Sequence, residues 1–169
     1  MADNYQMFSE QIPDIANEEI VWWQSIPAGV DFADDADYEG DAWVAPCRLA
    51  FAACGIDVTE IIAEGSLDRF PDFEYDVIDA KHKDHVSVWL YGECDFDLVH
   101  VATVVQSFIR RFRPDYVFGL TYAGTCSRLM IGAFGGGWCC VSKDEIIYGN
   151  ARAEAERTAE ELRTGSFKA

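Results

Sequence analysis

The alternation of apolar and polar residues predicts one helix more firmly than any other element. Between Asp95 and Arg113, Leu98, Val101, Ala102, Val105, Phe108, Ile109 and Phe112 recur at i, i+3, i+4, i+7, i+10, i+11 and i+14. That spacing puts them all on one helical face. Asp95 or Asp97 can cap the start, Arg110, Arg111 and Arg113 oppose the negative end of the dipole, and Pro114 stops the helix. Period-two patterns flank it. Phe73, Tyr75 and Val77 alternate with Glu74 and Asp76, and Val86, Val88 and Leu90 alternate with Ser87 and Trp89. These predict two strands joined as a hairpin. Residues 116–123 and 138–142 predict a third and a fourth strand.

The first half reads as helix and loop. Residues 1–14 are polar with scattered apolar positions and predict an irregular arm. Asn17 followed by Glu18 and Glu19 reads as a helix start, running through Trp22 and Trp23 to Pro27. The adjacent tryptophans either both pack under neighbouring segments or leave one exposed as an interface. Residues 43–55 predict a second helix with Val44, Cys47, Leu49, Ala50, Phe51 and Cys54 on its apolar side and Gly55 as its C-terminal cap. Residues 59–64 predict a short helical turn. Near the C-terminus, Ser142 and Glu145 fit a capping box, Ile146–Tyr148 can be helix or strand, and Asn150 caps a last helix through Arg163. That helix would make contact through Ala151, Ala155, Ala159 and Leu162. The expected fold is α+β, in one domain spanning 1–169. An acidic helical and loop portion (1–72) would pack around a core (73–163) of order strand-strand-helix-strand-strand-helix. The sheet would be four-stranded, antiparallel or mixed, with helices on one face.

Charge changes the picture more than composition does. The net charge is −17. Residues 1–80 hold 19 Asp and Glu against Arg48 and Arg69, whereas residues 81–169 balance 11 acids with 11 bases. The excess is thus confined to the first half. It argues against direct nucleic-acid binding, which needs a basic stripe, and suits either solubility or a basic partner. Asp31, Asp34, Asp35, Asp37, Glu39 and Asp41 crowd one predicted loop, and Asp72, Glu74 and Asp76 extend the acidic surface. Asp35-Ala-Asp37-Tyr-Glu39-Gly40 begins like a calcium-binding loop, but Pro46 stands where the twelfth-position glutamate is required.

Other candidate chemistry is thin. Six cysteines show no disulfide or zinc spacing, which suits reduced, mostly buried thiols. His82 and His85 form an isolated H-x-x-H. His100 lies off the apolar stripe of the central helix. Cys126 can approach Cys139 or Cys140 across a hairpin, but a cysteine nucleophile needs a base beside it. Residues 125–137 form a glycine-rich loop with Arg128 as its one charge and Gly135, Gly136 and Gly137 at its end. It is not a phosphate-binding loop, because no Gly-Lys-Ser/Thr follows and no helix opens after it. No cofactor or metal is expected. No run approaches the roughly 20 apolar residues of a membrane span. The N-terminus has no basic region followed by an apolar one, so a cytoplasmic protein is expected.

The segment Leu120-Thr-Tyr-Ala-Gly-Thr-Cys126-Ser, with Gly132-Ala-Phe-Gly-Gly-Gly137, resembles a group of uncharacterised small proteins carried by bacterial phages and plasmids. The likeness runs from Val86 to Val141. It implies a mobile genetic element as the source and carries no activity or site residues. With the charge, it leads to the expectation of a non-enzymatic acidic inhibitor. Such a protein would cover the basic nucleic-acid site of a nuclease or host-defence complex, as anti-CRISPR and anti-restriction proteins do. The same charge would suit an immunity protein against a toxin nuclease. A small enzyme or ligand-binding protein using the glycine loop, and a homodimer through that loop and the tryptophan pair, are the other readings.

Overall fold

The structure is a computed structural model that describes residues 4–27, 30–31, 44–59, 61, 69–79, 86–94, 96–126, 135–164 and 166. Strand β1 (Asn4–Ile12) is followed by α1 (Asn17–Ser25), β2 (Val30–Asp31), α2 (Val44–Ala53), β3 (Arg69–Phe70), β4 (Glu74–Asp79) and β5 (Val86–Gly92). Then come α3 (Leu98–Phe112), β6 (Phe118–Cys126), β7 (Gly135–Val141), β8 (Ile146–Asn150) and α4 (Ala151–Thr164). The main sheet has six strands in the order β4-β5-β1-β6-β7-β8, every neighbour antiparallel. The fold is α+β, but the expected four-stranded sheet is corrected to six. The four expected strands are β4 to β7, and β1 and β8 are added.

The larger correction is β1. The segment expected to be an irregular arm lies near the middle of the sheet. It pairs with β5 through Phe8–Ile12 and with β6 through Asn4–Phe8. Its apolar signal is weak because only Phe8 and Ile12 enter the core, and the position between them in the alternation is Glu10. Partner strands rather than intrinsic patterning fix this segment. At the other edge, Ser142 starts a hairpin turn and not a helix. Ser142 N–H donates to the Glu145 carbonyl, and Ser142 Oγ accepts from Asp144 N–H and Glu145 N–H.

Helix α3 forms where its apolar stripe predicts. Asp97 is the cap, its carboxylate accepting from Val99 N–H (2.7 Å) and His100 N–H (3.4 Å). Val101, Ala102, Val104, Val105, Phe108 and Ile109 are fully buried in one core with Phe8, Ile12, Val88, Leu90, Phe118, Leu120 and Val141. Burying a side chain such as Phe108 contributes about 1.5–3 kcal/mol. His100, expected off the stripe, is also buried, at 1% exposure.

Helix α1 adds both tryptophans to this core, so neither remains as an interface. Trp22 donates its indole N–H to the Cys54 carbonyl and packs against Phe108 and Phe112, and Trp23 packs against Tyr75 and Phe108. The cap of α1 is Ala16 rather than Asn17, and its N–H donates to Glu19 Oε2. Arg113 then closes the structure. Its guanidinium donates to both Glu19 oxygens at 2.7 Å and to the carbonyls of Pro13 and Asp14. It therefore ties α3 to α1 and to the end of β1. Helix α2 ends in a Schellman motif, with Gly55 at φ +78° and bonds from Ile56 N–H to the Phe51 carbonyl and Gly55 N–H to the Ala52 carbonyl. Phe51 and Cys54 are buried, but Leu49 is 73% exposed and Ala50 is exposed. No helix among the described residues is long and apolar enough to cross a membrane.

Candidate binding face

Strand geometry sends alternate side chains to opposite faces. One face of the sheet carries the core and its helices. The other presents Glu74, Asp76 and Ile78 from β4, Trp89 and Tyr91 from β5, Met7, Ser9 and Gln11 from β1, and Thr121 and Ala123 from β6. At the far end of that face, Trp138 of β7 donates its indole N–H to Glu154 of α4 (2.9 Å). The last helix therefore lies against this end, with Glu154, Thr158, Ala159 and Glu161 half-buried; of the expected contact residues only Ala159 is among them, and Ala151, Ala155 and Leu162 are exposed. Asn150 caps it as expected. The β4-β5-β1-β6 end carries no described helix.

The centre of this open region is an aromatic ledge. Trp89 and Tyr91 stack with ring centroids 4.1 Å apart and planes 24° from parallel. Trp89 Nε1 donates to Ser9 Oγ (2.8 Å), which fixes the indole against β1. The register sets Asp76 beside Trp89 and Glu74 beside Tyr91. Tyr91 Oη donates to Asp76 Oδ2 (3.2 Å). Hydrogen bonding to Glu74, with lesser contributions from burial and from Asp76, pushes the Tyr91 phenol up to about 12. A hollow of about 810 Å³ opens beside the ledge, lined by Met7, Ser9, Tyr91, Thr121 and Ala123 among others. A second, of about 480 Å³, lies against Trp89, Ile78, Glu10 and Gln11. Between them the β1–β6 ladder has ended, and Glu10 Oε1 accepts from Thr121 N–H and Oγ1 at 3.3 Å. Among the described residues this open region has acids, aromatics and hydroxyls but no Lys or Arg.

Of the residues singled out by charge, Glu74 and Asp76 lie on this face. Asp72 does not join them in sequence alternation as a strand residue. It sits in the turn before β4, where its N–H donates to His100 Nδ1 (3.2 Å) and its carbonyl accepts from Asp97 N–H. Asp31 is in β2, paired with Arg69. Asp34, Asp35, Asp37, Glu39 and Asp41 lie outside the described residues, as do Arg128, His82 and His85. Gly135, Gly136 and Gly137 are strand residues of β7. A Cβ on Gly137 would strike the Gly149 carbonyl and sit 2.8 Å from Tyr122 Oη, so packing accounts for this glycine. Four strand spacings separate β4 from β7, roughly 19 Å, so the acids and the glycines are not one site.

Trp89, Tyr91, Ser9 and Glu10 were not singled out by the sequence. The available signal was the aromatic pair on the polar phase of a strand predicted to pair with Glu74 and Asp76. The cysteine readings also change. Leu120 faces Cys139 and Gly119 faces Cys140, so Cys126 lies six or seven residues along β6, about 20 Å away. Burial pushes the Cys139 thiol up to about 11. Cys94 is exposed, and the thiols are not uniformly buried. His100 packs under Phe70, and its Nε2 lies 3.7 Å from Asp97 Oδ2 with no hydrogen-bond partner. Among the described residues no nucleophilic side chain is hydrogen-bonded to it, and it is 1% exposed. Among the described residues no three His, Cys, Asp or Glu gather as metal ligands. No protein family, curated protein or solved structure matches this chain.

Proposed function

We propose that this chain is a non-enzymatic protein that binds a basic partner through the open face of its sheet. The partner class is the nucleic-acid site of a nuclease or host-defence complex, and the role is inhibition of the anti-CRISPR or anti-restriction kind. The observation that carries this reading is the juxtaposition of Glu74 and Asp76 with the Trp89–Tyr91 ledge on a face without described basic groups. Such a face offers apolar contact area and opposes a surface lined with Lys and Arg. The overall charge of −17 would speed that encounter and make it sensitive to salt. The resemblance to phage and plasmid proteins fits a setting in which such inhibitors are used.

The test is inhibition of purified nucleases from bacterial defence systems, with and without added salt. Inhibition should fade as salt rises and as competing DNA is added, and Glu74→Gln with Asp76→Asn should weaken it. Inhibition that survives both changes, or none in any system, contradicts the reading.

A further inference from the structure

We infer that the Trp89–Tyr91 ledge seats an arginine side chain of the partner in preference to lysine, an inference that rests on the binding reading above. The two rings stack face to face, so each keeps one face turned away from the other and each lines a hollow, and the register places Asp76 and Glu74 at their side, one strand spacing away. A guanidinium is planar and weakly hydrated. It can lie against an aromatic face and still offer N–H groups at its edge to a carboxylate. An ammonium is compact and strongly hydrated, and gains less from the flat surface. Tyr91 Oη holds Asp76 next to the ledge, so the acceptor is already in place. Among the described residues no cation of the chain itself lies on the ledge. The chain's described cation–π contacts are Arg111 on Phe112 and Arg113 on Phe108 and Tyr116, all away from these strands.

The hollows on either side make the ledge a ridge that an extended chain can cross. Glu74 and Asp76 are two residues apart, which matches the period of an extended peptide with a base at every second position. A single-stranded nucleic acid is the rival occupant, since bases stack on such aromatics. Its phosphates would meet Glu74, Asp76 and Glu93 with no described base to receive them. The observations favour the arginine-bearing protein.

The experiment is fluorescence anisotropy of the full chain with a labelled peptide alternating arginine and glycine. Its lysine–glycine counterpart and a labelled single-stranded oligonucleotide serve as comparison probes. The arginine peptide should bind about fivefold or more tighter than the lysine peptide, the gain of one cation–π contact. Trp89→Ala should remove that preference, and Trp89→Phe should keep most of it, with melting curves showing both variants folded. Glu74→Gln with Asp76→Asn should weaken both peptides. Equal binding of the two peptides, lost on charge removal but not in Trp89→Ala, overturns the arginine seat while the acidic binding reading stands. No binding of either peptide overturns both. Preferential, Trp89-dependent binding of the oligonucleotide overturns both in favour of a nucleic-acid partner.

Discussion

The two faces of the sheet are made by the same strands from residues one position apart, and they are finished differently. On β5, Val88 and Leu90 are completely buried beneath α3, whereas Trp89 and Tyr91 keep part of their rings in solvent. The covered face is closed by apolar packing and by one clamp, Arg113 on Glu19. The open face puts its aromatics into a stacked pair beside carboxylates, with two hollows bordering it among the described residues. An antiparallel sheet can leave one face to water, and such faces are ordinarily polar. An aromatic stack held by a hydroxyl on one side and carboxylates on the other departs from that pattern, and it is the feature on which the proposed binding rests.

If the division is real, damage to each face should be separable. Arg113→Ala is expected to have the largest effect on stability, about 3–5 kcal/mol, because it leaves the nearly buried Glu19 carboxylate unpaired. Chemical denaturation would measure this. Peptide binding per folded molecule should be unchanged. Gly137→Val comes next, at about 1–3 kcal/mol, since the new side chain must enter the space held by Tyr122 and the Gly149 backbone. Full stability in this variant would return the glycines to a binding role.

His100→Leu is expected to cost about 1–3 kcal/mol near neutral pH, because Asp72 N–H loses its acceptor. It should also change the pH profile. Burial pushes the His100 imidazole below its ordinary 6.5, against the opposing pull of Asp97 and Asp72. The unfolded chain therefore takes a proton that the folded chain refuses. Stability present above pH 6.5 is lost as pH falls below that value, and the Leu variant should lack this slope. Glu19 acts in a lower window. Burial alone would raise its pKa, but Arg113 and Ala16 N–H hold it below 4.5.

The smallest expected change in stability is on the open face. Glu74→Gln with Asp76→Asn should shift it by no more than about 0.5 kcal/mol. The same change should bring the Tyr91 phenol down from about 12 toward its ordinary 10, read by ultraviolet titration. A phenol that stays up would show that the carboxylates do not govern the ledge.

What could be read in advance follows the same division. Helix α3 was legible because its apolar stripe is long and unbroken, and the Gly55 cap because positive φ favours glycine. β1 was not, because three of the five positions in its core phase are Asn4, Gln6 and Glu10, and its place depends on two partner strands distant in sequence. β8 stayed open between helix and strand because Ser142 binds the N–H groups of Asp144 and Glu145 in a turn much as a helix cap would. The acids of the open face, Glu74 and Asp76, were visible as charges. Their aromatic partners were not, because a Trp in an alternating strand belongs to a core or to a surface only once the register is known.

The most direct test of the central claim is an amide-resolved NMR titration of the chain with the arginine–glycine peptide. Binding at the ledge should gather shifts on β4, β5 and β1, with the Trp89 indole N–H among the largest and α3 unmoved. Shifts confined to other elements, with Trp89 and Tyr91 unchanged, would contradict it.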